Sequence, residues 1–208
     1  MKRISFLLLI TIMMAACTRQ PDEQESLEKF SRQVSKLQQG MSAKEAQWQQ
    51  RFSSLPMGNV LVPDNLVAPE GRASGKATLK QFRALIAERA ATREAGSIEL
   101  QEIIAAIPDE DIRRSARAGL NARHEESFRS AKEMDQAQLQ LANAYEAIVD
   151  WCEREGKRLT VQDNQLSLST PAQQTQLNSL LSALDAAEKR EDESVSQMEG
   201  IRQRSQRR

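Results

Sequence analysis

Gly156-Lys157-Arg158-Leu159-Thr160-Val161-Gln162-Asp163-Asn164-Gln165-Leu166-Ser167-Leu168-Ser169-Thr170-Pro171-Ala172-Gln173 is the stretch that decides how this chain folds. Before it and after it, apolar residues recur every three or four positions. Within it they alternate: Leu159, Val161, Leu166 and Leu168 are separated by Arg158, Thr160, Gln162, Gln165 and Ser167. Alternation of this kind belongs to a strand with one buried face. Asp163 and Asn164 both tolerate the positive φ of a type I′ turn, so the spacing predicts a two-residue β-hairpin over about 158–169. Pairing Gln162 with Gln165 sets Val161 opposite Leu166 and Leu159 opposite Leu168 on a single apolar face. A lone hairpin is marginal in water, so that face must pack on helices. Gly156 ends the helix before it. Thr170, Pro171 and Gln173 start the next one, as cap, first helical residue and far side of a capping box.

Upstream, helical periodicity extends from Asp109 to Glu155, with Ile112, Ala116, Leu120, Phe128, Met134, Leu139, Leu141, Tyr145, Ile148, Val149 and Cys152 on the apolar side. The polar run from Asn121 to Glu126 marks a kink or loop within it. Asp109, Glu110 and Asp111 follow Pro108 and are read as helix-start carboxylates, not metal ligands. A further helix is expected from near Lys76 to Ile107, with Leu79, Phe82, Leu85, Ile86, Leu100, Ile103, Ile104 and Ile107 in the core and a bend at Gly96. Between Leu55 and Gly75, the prolines at 56, 63 and 69 lie among Val60, Leu61, Val62, Leu66 and Val67. That composition predicts an extended strap pinned down by its aliphatics, and the first candidate for a contact surface. Further upstream, Leu27, Phe30, Val34, Leu37 and Met41 form a narrow helical seam. Gly40 would end that helix, and Ser42 with Glu45 would cap a second one carrying Trp48, Phe52 and Leu55; one kinked helix is the alternative. Downstream of the hairpin, Leu177, Leu180, Leu181 and Leu184 face inward, and the charged end beyond Ala187 leaves the core. The expected fold is mostly α, an elongated helical bundle with one short hairpin.

Residues 1–16 have another character. Lys2 and Arg3 precede an uncharged run from Ile4 to Ala16. That run is shorter than the roughly 20 apolar residues that cross a bilayer. It reads as a secretory signal peptide, and Ala15-Ala16-Cys17 makes it the lipoprotein kind, with an ordinary signal peptide and a plain Cys17 thiol as the weaker reading. The expected organisation is a signal peptide over 1–16, a lipidated start and polar tether over 17–24, a helical domain over 25–187 and a charged helix end or tail over 188–208. Without Lys2 and Arg3 the remaining chain has 27 basic and 29 acidic side chains. Neither nucleic acid nor an anionic surface is therefore an expected partner, since both call for a basic excess. Cys152 is then the one remaining thiol; it falls on an apolar stripe and is expected to be buried, the alternative being an intermolecular disulfide.

Chemical motifs are few. Gly71-Arg72-Ala73-Ser74-Gly75-Lys76-Ala77-Thr78 has one residue too few between its glycines for a phosphate loop, and Ala77 stands where the hydroxyl must be. His124 is the single histidine. It has no companion ligands for zinc. No His-based nucleophile triad can be assembled, so no catalytic residue, cofactor or metal is expected.

The run ending in Cys17 resembles bacterial lipoprotein precursors, in which that cysteine is acylated and becomes the new N-terminus. The wider layout also bears a resemblance: lipobox, tether, helix pair, Asn59-Val60-Leu61-Val62-Pro63-Asp64-Asn65, long helices, then hairpin, Thr170-Pro171 and helix. It is similar to a group of small uncharacterised enterobacterial lipoproteins, over most of the mature chain but weakly between these landmarks. The resemblance implies a shared helical fold and no known chemistry. Thr18, where an Asp would hold many enterobacterial lipoproteins in the inner membrane, implies the outer membrane. The expected function is therefore a non-enzymatic outer-membrane lipoprotein, facing the periplasm and anchored through Cys17, that binds or assembles with an envelope protein. The alternatives are a carrier of a small apolar ligand, using a crevice between hairpin, strap and helices, and a cell-wall hydrolase for which no residues can be named.

Overall fold

In the computed structural model, residues 21–206 are described, and the side chains of residues 21–24, 26, 120–124, 202, 205 and 206 are left aside. The stretch read as a signal peptide and Cys17 lie outside the described residues, as does the start of the expected tether. The described chain is a mostly α bundle with one hairpin: helices α1 (Pro21–Ser54), α2 (Pro63–Val67), α3 (Pro69–Ala105), α4 (Glu110–Glu155) and α5 (Pro171–Gln206), with strands β1 (Thr160–Gln162) and β2 (Gln165–Ser167) between α4 and α5.

The hairpin has the expected register: Val161 pairs with Leu166 and Gln162 with Gln165, antiparallel, and Thr160 pairs with Ser167. Asp163 and Asn164 have φ of 49° and 59°. Two successive left-handed residues are what a type I′ turn requires. Gly156 ends α4 at φ 53°. A Cβ would be strained in that conformation. The capping box forms reciprocally, the Gln173 N–H donating to Thr170 Oγ1 and the Thr170 N–H to Gln173 Oε1, each at 3.2 Å. Asp109 caps α4 by accepting from the Ile112 N–H at 2.8 Å.

The helices are longer and less interrupted than the punctuation of the sequence predicts. α1 runs straight through Gly40, with no second start at Ser42, and α4 passes through 121–126 unbroken. Glycine in a helix interior costs only about 1 kcal/mol relative to alanine, which packing elsewhere can offset. The segment expected to be an extended strap is instead partly helical: it holds a 3-10 turn, Met57–Asn59, and the helix α2, and α3 begins at Pro69. Pro63 and Pro69 each occupy a helix start, where the missing N–H has no partner to lose. The end of α5 also departs from expectation, since the helix continues to Gln206 with Ile201 still buried.

The chain packs as two compact units. One comprises residues up to Ala46, Ala90–Lys132 and those from Ser196 on; the other comprises Gln47–Arg89 and Glu133–Val195. In the first, Ile104, Ile107, Ala131 and Ile201 are buried, while Leu27, Phe30, Val34, Leu37 and Met41 are half-buried along α1. The second unit holds the larger core, in which Leu79, Ile86, Ile148, Val149 and Cys152 are almost inaccessible. Each aliphatic buried in this way contributes about 1.5–3 kcal/mol.

Candidate functional site

The strap is held against the second unit by its own short helix. Arg72 reaches back from α3 and donates to the Leu66 and Val67 carbonyls at 2.8 and 2.7 Å. These are acceptors that the end of α2 leaves without an intrahelical partner. Asn65 Nδ2 donates to the Asn59 carbonyl at 2.8 Å, closing the segment on itself. Gly71 permits this fold, since a Cβ there would lie 2.4 Å from the Asn65 carbonyl oxygen. These contacts tie the segment that carries Leu61, Pro63 and Leu66 to the start of α3.

The hairpin is clamped at its base. Gln173, buried at the start of α5, accepts from the Ser169 N–H at 2.8 Å and donates to Glu155 Oε2 at 2.7 Å, tying the strand exit to the end of α4. Trp151 Nε1 donates to Gln176 Oε1 at 3.0 Å one turn further on. With Leu159 buried beneath, the apolar face of the hairpin lies over helices α4 and α5, as its pattern requires.

Between these two anchored elements is an open crevice of about 340 Å³, lined by Leu61, Pro63, Leu66, Ile148, Leu166, Leu168, Leu177 and Leu181, with Asn164, Gln165 and Gln174 supplying amides. The volume is at the lower end of the roughly 300–1,000 Å³ of ligand sites. Its floor is aliphatic, and no charged residue lines it. Leu181, expected to face inward, is 41% exposed in the crevice; Leu177, which also lines it, and Leu184, which does not, are buried.

Other chemical groups of this unit are engaged in structure. Gly71 to Thr78 is helical throughout, so it cannot wrap a phosphate, and Lys76 pairs with Asp150 and Glu153 at 2.7 and 2.5 Å. These two carboxylates, with Asp150 the stronger influence, push the Lys76 ammonium up to about 12. Cys152 is 0% exposed, and burial pushes its thiol up to about 11, partly offset by the charge of Arg72 and reinforced by Glu155. A thiol so placed has no route to another chain while the helices are packed. Arg89 lies buried against Asp135 at 2.6 Å and also donates to Gln138, whose amide donates to Glu191 at 3.1 Å. His124 falls in α4, but its side chain lies outside the described residues. Among the described residues, no group of three His, Cys, Asp or Glu side chains is placed to hold a metal ion, and no helix is long and apolar enough to cross a membrane.

Sequence reasoning points to the strap and a hairpin crevice but misses Leu181, Gln165 and Gln174. A signal is present: few charged residues occur in either segment that forms the walls. Comparison with protein-family models, with curated proteins and with solved structures finds no match.

Proposed function

We propose that the protein is a non-enzymatic lipoprotein of the outer membrane, held on its periplasmic face by acylated Cys17, that acts as a binding or assembly factor in the cell envelope. The anchoring part is supported by the sequence alone: Lys2 and Arg3, the uncharged run to Ala16, and the small residues before Cys17. With three acyl chains contributing about 0.8 kcal/mol per buried methylene, Cys17 would suffice as the attachment. The resemblance to small enterobacterial lipoproteins supports the same compartment.

The binding part is carried by one observation, the uncharged aliphatic crevice between strap and hairpin, both walls of which are fixed by hydrogen bonds before anything binds. Preorganised walls spare a ligand the cost of ordering them. The volume of the crevice also favours a second reading, a carrier of a small apolar ligand, in which the same aliphatic floor would hold a hydrocarbon.

Metabolic labelling with palmitate and fractionation of the envelope test the anchor. Wild type should carry label and float with the outer membrane, and Cys17→Ser should carry none and be released by osmotic shock. Label-free wild type, or a Cys17→Ser protein still in the outer membrane, would refute the anchor.

A further inference from the structure

Basic and acidic side chains balance over the whole chain, 29 of each. They do not balance in the segments that build the crevice. Residues 52 to 71 and 159 to 188, which carry every lining residue except Ile148, hold five acidic side chains, Asp64, Glu70, Asp163, Asp185 and Glu188, and no basic one. All five are exposed, and none forms an ion pair with another described residue. The basic residues that bound the two segments are already engaged: Arg51 with Glu88 at 2.7 Å, Arg158 with Glu155 at 3.8 Å, Lys189 with Glu193 at 4.0 Å, and Arg72 with the carbonyls of Leu66 and Val67. Both segments therefore carry negative charge that no described side chain neutralises.

Three of these carboxylates adjoin residues that line the crevice. Asp64 follows Pro63, Asp163 precedes Asn164, and Asp185 stands one turn beyond Leu181 on α5, at the four-residue spacing that shares a helix face. A centre free of charge inside a polar, solvent-exposed rim is the anatomy of a protein-binding surface. The sign of the rim narrows the occupant. A second copy set crevice to crevice would bring the same carboxylates face to face, and an anionic headgroup would meet them as well. Sites for small ligands enclose most of the ligand's surface. This crevice is open, with Leu181 41% exposed in it, and so suits side chains carried on a larger surface better than a free hydrocarbon.

We propose, on the reading of the crevice as the binding face, that its occupant is an envelope protein whose contacting surface sets aliphatic side chains among basic ones. The aliphatic groups enter the crevice and supply affinity, as buried apolar anchors do. Lysine or arginine around them meets Asp64, Asp163 and Asp185, which steers the encounter and rejects acidic surfaces. Steering of this kind is screened by salt, whereas the apolar contact is not.

The full-length protein, with benzoylphenylalanine at position 181, is irradiated in intact cells at low and at raised sodium chloride, and the crosslinked segment of any adduct is sequenced. A variant that also carries Asp64→Asn, Asp163→Asn and Asp185→Asn is treated alike. The expected adduct is with one protein, through a segment in which basic residues outnumber acidic ones. Its yield should fall as salt rises, and at least fivefold in the triple variant, which should keep its melting temperature and lose the salt dependence. An acidic crosslinked segment, a wild-type yield indifferent to salt, or an undiminished yield from a folded triple variant would overturn the proposal while leaving the crevice a binding face. An adduct with a lipid or with a second copy would overturn it and assign the crevice to that occupant. No adduct under any condition would overturn the reading of the crevice as a binding face as well.

Discussion

Arg89 and Asp135 are charged side chains in an interior position, 5% and 7% exposed, with the Arg89 guanidinium also 4.9 Å from the Phe52 ring centroid. Breaking such a pair from one side leaves a charge uncompensated, whereas replacing both by apolar groups of similar size is tolerated. Asp135→Ala should therefore destabilise the protein by about 3–5 kcal/mol, and Arg89→Met with Asp135→Leu should recover most of it in chemical denaturation. Equal losses in the single and double variants would show that the pair contributes no more than its packing. Nothing in the sequence signals this pair, because a helical Arg is ordinarily solvated and only the packing of helices around it desolvates it. Cys152 is legible, since its spacing from Tyr145, Ile148 and Val149 places it on the inward stripe. Its inaccessibility and raised pKa predict that iodoacetamide at about pH 8 labels the unfolded chain and spares the native one. Stoichiometric native labelling would contradict the burial.

Glu88 gives a pH dependence with a definite sign. Arg51, donating at 2.7 Å, and then the Trp48 indole, at 3.2 Å, hold its carboxyl below the ordinary 4.5. A carboxyl with a lowered pKa in the folded state stabilises the fold above its unfolded pKa and loses that contribution as pH falls through the folded value. Glu88→Gln should accordingly lower the melting temperature at about pH 6.5, and the gap should narrow below about pH 4. A gap that is constant across this range would rule out the ion pair as its origin.

Among the elements, those signalled by side-chain chemistry are readable in the sequence and those set by packing are not. The hairpin and its register follow from alternation around Asp163-Asn164, and the start of α5 from Thr170, Pro171 and Gln173. Gly40 and the 121–126 run look like breaks and are not, because local propensity is worth about 1 kcal/mol and a long amphipathic face outweighs it. Pro63 and Pro69 argue against helix only in a helix interior; at a first helical position proline is compatible with one. Two substitutions probe these elements. Asp163 sits at φ 49°. A β-branched residue is disfavoured in that left-handed conformation, so Asp163→Val should cost about 1–2 kcal/mol in thermal melts. Gly71→Ala drives a Cβ into the Asn65 backbone. Overpacking of this kind should cost about 1–3 kcal/mol, with the strap displaced. A neutral Gly71→Ala in thermal melts would mean that α2 is not pressed against α3 as described.

On the scale of the molecule, the second unit joins two segments distant in sequence, 52–69 and 159–184, at one crevice. Neither carries a recognisable binding motif, and the site is visible in the sequence only as the place where charge runs out. That Leu177 and the exposed Leu181 line the crevice while Leu184 is buried away from it depends on where the hairpin lies over α5, which periodicity does not specify. The proposed anchor at Cys17 has the opposite character: it is legible from residue order alone. Together they make up the proposal of a tethered protein that binds through one uncharged crevice.

The most direct test of that account is photocrosslinking in intact cells, with benzoylphenylalanine placed at Leu181 and, as a control on the exposed charged surface, at Glu199. A discrete protein adduct formed from Leu181, absent from Glu199 and lost when Cys17→Ser releases the protein from the membrane, is the expected result. No adduct at Leu181, or the same adducts from both positions, would contradict the claim that this crevice is where an anchored protein meets its partner.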